Sequence, residues 1–114
     1  MNEELKAIFG DAVVVNGEKI PTAHLKYKGK KDTFVVWTIT GESPSLSAND
    51  EQLESIVTID VDVYSKGNYL SVLAEIKKLM KQNDWLWTGD SPEMYEDDTG
   101  LYHLTASFEK WRTL

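Results

Sequence analysis

The stretch SIVTIDVDVYSKGNYLSVLAEIKKLMKQN, residues 55–83, decides the fold. Its first half sets Val57, Ile59, Val61 and Val63 on one side and Thr58, Asp60, Asp62 and Tyr64 on the other, the two-residue period of a half-buried strand. SKGN turns the chain, and Tyr69, Val72, Leu73, Ile76, Leu79 and Met80 then recur at helical spacing, which predicts an amphipathic helix with one inward stripe. Asn68 is the expected N-cap, because its side-chain oxygen can accept from a first-turn N–H that lacks a helical partner. A strand and a helix that are each apolar on one side must bury those sides against each other or against further layers.

Upstream of this unit, Leu5, Ile8 and Phe9 form the stripe of a short first helix. Asn2 is its expected cap, Glu3 and Glu4 favour the positive end of its dipole, and Gly10 can end it in a left-handed conformation. DAVVVNGEKIP holds a short β-prone run and the turn signal Asn16-Gly17. Residues 22–27 and 33–40 favour strands, and KGKKD between them predicts a hairpin whose tip carries Lys26, Lys28, Lys30 and Lys31. Apolar residues occur at both Val35, Trp37, Ile39 and Phe34, Val36, so the second strand is expected to be covered on part of both faces. GESPSLSANDEQLE, residues 41–54, has loop chemistry and the length of a contact arm.

Downstream, residues 85–89 read as a short strand with Trp85 and Trp87 on one face. The acidic loop DSPEMYEDDTG follows, and then a strand over residues 101–111 alternates Tyr102, Leu104, Ala106, Phe108 against His103, Thr105, Ser107, Glu109. The expected architecture is α+β: a largely antiparallel or mixed sheet of four to five strands with two helices packed on one face, in a single domain spanning residues 1–114.

Composition narrows the function classes. With 41% hydrophobic and 27% charged residues the 114-residue chain is an ordinary globular domain, and its longest apolar runs are far too short to span a bilayer. MNEELKAIFG lacks the basic start and apolar stretch of a secretory signal, so none is expected. Absence of cysteine removes disulfides, thiolate chemistry and cysteine zinc sites, and fits a reducing compartment. A net charge of -7 argues against general nucleic-acid affinity, which depends on lysine and arginine neutralising phosphates.

No catalytic pattern is complete. His24 and His103 fall in separate strands without metal-ligand spacing, GESPS lacks the second glycine of a nucleophile elbow, and GKKDT lacks the upstream glycine and Lys-Ser/Thr pair of a phosphate loop. Asp60 and Asp62 share a strand face, but two carboxylates fall short of the six to eight oxygens calcium takes. Glu93, Glu96, Asp97 and Asp98 form the densest acidic patch without the spacing of a calcium loop. No enzyme, cofactor or metal is expected. Trp85, Trp87, Tyr95, Tyr102 and Trp111 crowd the last third, more aromatics than a small core holds, and surface aromatics anchor protein interfaces.

TIDVDVYSKGNYLSVLAEIKKLMKQNDW, residues 58–85, resembles the segment shared by small tail-completion or tail-terminator proteins of phages with long non-contractile tails and of their prophages. The resemblance rests on Val63, Tyr64, Ser65, Lys66, Gly67, Asn68, Tyr69, Ile76, Lys77, Leu79 and Met80. It extends through Ile20-Pro21, the lysine-tipped hairpin and residues 34–38 to cover roughly residues 20–111. It implies a non-enzymatic subunit that assembles into a ring, a hexamer, at the head-proximal end of the tail tube, meeting the tail tube protein on one side and head-completion or connector proteins on the other. DNA would pass through its lumen without specific binding, no membrane would be involved, and it would reside at the head–tail junction of the virion and in the host cytoplasm during assembly.

On that expectation the contact arms are residues 41–54, with Glu42, Asp50 and Glu51, and residues 90–100, with Tyr95, Glu96, Asp97 and Asp98. Lys28, Lys30 and Lys31 at the hairpin tip would face an acidic loop of the next subunit, and Trp111 would add an aromatic anchor. A head–tail connector or stopper protein, or a small ligand-binding or regulatory α+β domain, are the alternatives.

Overall fold

The computed structural model describes residues 2–44 and 54–113. In chain order the elements are α1 (Asn2–Phe9), β1 (Ala12–Val15), β2 (Glu18–His24), β3 (Phe34–Pro44), β4 (Glu54–Ser65), α2 (Leu70–Gln82), β5 (Leu86–Asp90), β6 (Met94–Glu96) and β7 (Leu101–Thr113). β4 lies between β3 and β7, antiparallel to both. Its alternation holds: Val57, Ile59, Val61 and Val63 are 0–1% exposed. Full burial of each such side chain contributes roughly 1.5–3 kcal/mol relative to leaving it in water.

The class is α+β as expected, but the sheet has seven strands in the order β1-β2-β3-β4-β7-β5, with β6 on β7, and the helices sit partly off it. α2 touches both β1 and β5, the two ends of the strand order, so the sheet curls about this helix. The predicted stripe is the packed one: Tyr69, Val72, Leu73, Ile76 and Met80 are buried and Leu79 packs against them. Asn68 accepts from the Leu70 N–H at 2.9 Å, one residue ahead of the helix boundary, where Tyr69 stands. Asp84, at φ 67, takes the left-handed position that follows the helix, and the Trp85 N–H returns to the Met80 carbonyl at 3.0 Å.

α1 buries Leu5 and Phe9, and Gly10, at φ 58, closes it as expected. The Thr22 hydroxyl caps its end by donating to the Gly10 carbonyl at 3.0 Å. The side chain of Asn2 lies outside the described residues. Lys110 Nζ binds the Glu4 carboxylate and the Asn83 carbonyl, tying α1 and the end of α2 to β7.

The expected hairpin between residues 22–27 and 33–40 does not form, because β2 runs parallel to β3, with Thr22 opposite Val35 and His24 opposite Trp37. The hairpin lies one element earlier. Asn16 and Gly17, at φ 52 and 81, join β1 to β2 in the left-handed pair that suits a tight hairpin turn. Pro21, which lacks an N–H, stands where β2 leaves β1 for β3. The lysine-rich segment is therefore a crossover loop wrapped around Tyr27. That ring stacks on Phe34, its hydroxyl accepts from the Lys31 N–H at 3.1 Å, and a Cβ on Gly29 would collide with the same hydroxyl.

The two segments expected as loops also contain strand. Residues 41–44 extend β3 alongside β4, past a bulge between Ile39 and Gly41, and with β7 they make a three-stranded finger. Met94–Glu96 pair with β7 as β6, interrupting the acidic loop. Asp50 and Glu51 lie outside the described residues.

Candidate functional site

Three surfaces gather the functional side chains, and all hang from β7 or its neighbours. The first is the sheet face turned away from the helices. Tyr27, Phe34, Tyr64 and His103 stack there ring on ring, with centroids 4.3, 4.8 and 4.1 Å apart and planes within 23°. The strand registers set this ladder, since Phe34 lies opposite Tyr64 and Tyr64 opposite His103. Beside it, Asp62 accepts from the Thr105 hydroxyl and lies 2.9 Å from His103 Nε2, and Asp60 accepts from the Ser107 hydroxyl at 2.8 Å. Burial, reinforced by the Asp62 and Glu96 carboxylates, holds the Tyr64 hydroxyl above its ordinary pKa. A trough of about 340 Å3 runs over these rings, walled by Leu25, Lys26 and Tyr27 on one side and by Glu96, Thr99 and Leu101 on the other.

The second surface is an acidic knuckle at the turn from β6 to β7. Tyr95 is 55% exposed and leans on Tyr102 at 5.1 Å, Glu96 accepts from the Thr99 hydroxyl at 3.1 Å, and the Gly100 N–H returns to the Glu96 carbonyl at 2.8 Å. Asp97 and Asp98 are exposed on the turn. The Tyr69 hydroxyl donates to Glu93, and that bond, with burial, raises the Tyr69 pKa. The knuckle is thus fixed to the start of α2.

The third surface is a groove between α2 and β5. Trp85, Leu86 and Trp87 line it with Lys77 and Lys81 at its rim, enclosing about 290 Å3. Lys77 Nζ lies 4.3 Å from the Trp87 ring centroid and 2.8 Å from Asp90 Oδ2, while Trp87 Nε1 donates to the other Asp90 oxygen at 2.9 Å. The strand expected over residues 85–89 begins at Leu86, and Trp85 and Trp87 both line this groove. Trp85 precedes the strand and is 3% exposed, whereas Trp87 is 49% exposed on it.

The site residues read from sequence are only partly brought together. Tyr95, Glu96, Asp97 and Asp98 form the knuckle. Lys28, Lys30 and Lys31 are exposed on the crossover loop, whose base shares the trough with Glu96. Glu42 belongs to strand rather than to a free arm: it accepts from the Ser55 hydroxyl at 2.6 Å and faces Arg112 at 3.7 Å. Trp111, 54% exposed, stands on the finger opposite Ile56, on the other sheet face from Glu42. Lys77, Lys81, Leu86 and the stack of Tyr64 on His103 were not among the contact residues read from sequence, although Tyr64 and Lys77 belong to the resemblance and His103 was weighed as a metal ligand. Lys77 follows buried Ile76 directly and stands about one turn before buried Met80, a position that places it at the rim of the packed stripe.

Among the described residues no cluster of three or more His, Cys, Asp or Glu side chains could hold a metal ion, and no helix is long and apolar enough to cross a membrane. No protein-family model matches the chain, and no curated protein sequence matches it.

Proposed function

We propose that this chain is a structural subunit of a phage or prophage that assembles as a ring, a hexamer, at the head-proximal end of the tail tube, ending tube growth and joining tail to head. The resemblance of residues 58–85 supplies the family. The observation that carries the ring is a pair of dissimilar apolar patches set apart along β7, Leu86 and Trp87 at 58% and 49% exposure on β5 beside Trp111 at 54%, and Met94 and Tyr95 at 45% and 55% on β6. Dissimilar patches on one subunit favour heterologous contacts, which close into rings when the rotation between subunits divides a full turn. A net charge of -7 suits a lumen through which DNA slides, since a basic lining would grip phosphates.

Deleting the gene and imaging the lysates tests the proposal. Overlong tails without heads are the expected result, and tails of normal length with heads attached would overturn it. A second possibility, a small ligand-binding domain, draws on the aromatic-walled trough over Tyr27, Phe34 and Tyr64. It predicts a solute that perturbs tyrosine fluorescence, and a head-attached, normal-length tail phenotype.

A further inference from the structure

We infer that the groove between α2 and β5 receives the acidic knuckle of a second copy of this chain. The inference rests on the ring proposal for its choice of partner and names the contact between neighbouring subunits. Four observations lead to it.

The groove is apolar and open to solvent, with Leu86 58% and Trp87 49% exposed. Its rim is basic, although the chain as a whole carries a net charge of -7. Lys77 is held by Asp90, and Lys81 has no ion-pair partner among the described residues. Trp85 forms the buried wall of the groove. An apolar or aromatic body carrying negative charge is therefore the matching chemistry.

The knuckle has that chemistry. Met94 and Tyr95 are 45% and 55% exposed, and Glu96, Asp97 and Asp98 follow directly. The Glu96 and Gly100 hydrogen bonds already fix its shape, which lowers the ordering cost of docking. It cannot fill the groove of its own chain. Trp87 pairs with Phe108 and Tyr95 with Tyr102 on the same edge of β7, six residues apart, or roughly 20 Å along a strand. Donor and receptor sites held that far apart on one rigid edge are satisfied only between copies.

The chain contains no cysteine, so engineered pairs report the contact directly. Leu86→Cys and Tyr95→Cys variants, purified, mixed and mildly oxidised, should give a cross-linked pair that neither variant gives alone. Adding Lys81→Glu to the first should abolish that band, and adding Asp97→Lys and Asp98→Lys to the second should restore it. No band in the mixture, or a band indifferent to Lys81→Glu, would overturn the inference while leaving the ring proposal to the tail phenotype. In the double variant Leu86→Cys/Tyr95→Cys, a ladder extending beyond dimers supports both. A product that stops at dimers keeps the knuckle-in-groove contact and removes the ring.

Discussion

The two faces of β4 are held in place by different forces. Toward the helices Val57, Ile59, Val61 and Val63 are excluded from water by nondirectional packing against Trp37, Ile76, Phe108 and their neighbours. On the other face Thr58, Asp60, Asp62 and Tyr64 have no covering layer of secondary structure among the described residues and are half-buried by their own cross-strand partners. There Asp60 holds Ser107, Asp62 holds Thr105 and His103, and Tyr64 is stacked between Phe34 and His103. Hydrophobic burial supplies most of the stability and forbids a one-residue slip, which would turn the valines outward, but a two-residue slip keeps them inside, whereas a carboxylate opposite two donors is satisfied in one register only. The open face therefore fixes how β3, β4 and β7 align, and with them where the knuckle, the groove and the finger stand.

That contrast can be broken by equal losses on the two faces. Ile59→Ala removes a side chain with 0% exposure and leaves a cavity among packed neighbours, so it should cost about 2–5 kcal/mol in denaturant unfolding. Asp62→Ala, whose carboxylate is 21% exposed, should cost less, about 1–3 kcal/mol, because water can reach the donors it abandons. The denaturant slope should be unchanged in both variants. A cost for Asp62→Ala equal to that of Ile59→Ala would mean that the open face carries the stability as well as the alignment.

The difference between the faces also explains what was legible in the sequence. Residues 55–83 were readable because strand and helix periods are local properties, and burial followed them at Val57, Ile59, Ile76 and Met80. The partner of β2 was not, because Thr22 pairs with Val35 by a choice among strands, and KGKKD has the composition of a hairpin tip and of a crossover loop alike. β6 escaped notice because Met94–Glu96 is three residues long between Pro92 and Asp97, too short to show alternation. The knuckle was found by its charge and its aromatic residue. The groove was missed because alternation along β5 says which residues share a face but not that α2 lies beside them with Lys77 over the Trp87 ring, a contact between elements that no local period encodes.

Alkaline titration gives the smallest and most selective separation of the faces. Tyr64 and Tyr69 both have pKa values raised above 10.0, the first by burial on the open face with help from Asp62 and Glu96, the second by its bond to Glu93 and by burial. A phenol whose folded pKa exceeds its unfolded value binds its proton more tightly in the folded state. Its contribution to stability is complete below the unfolded value near pH 10 and is lost as pH rises through the raised folded value. Stability should accordingly hold up to about pH 10 and fall above it, with Tyr64 and Tyr69 ionising above the ordinary phenol range in the tyrosinate absorbance. Tyr64→Phe should remove part of that fall, and Asp62→Ala should bring the Tyr64 ionisation back toward its ordinary range while leaving Tyr69 unmoved. If Asp62→Ala instead shifted both tyrosines equally, the open face and the start of α2 would be one electrostatic unit, and the independence of the two faces would be lost.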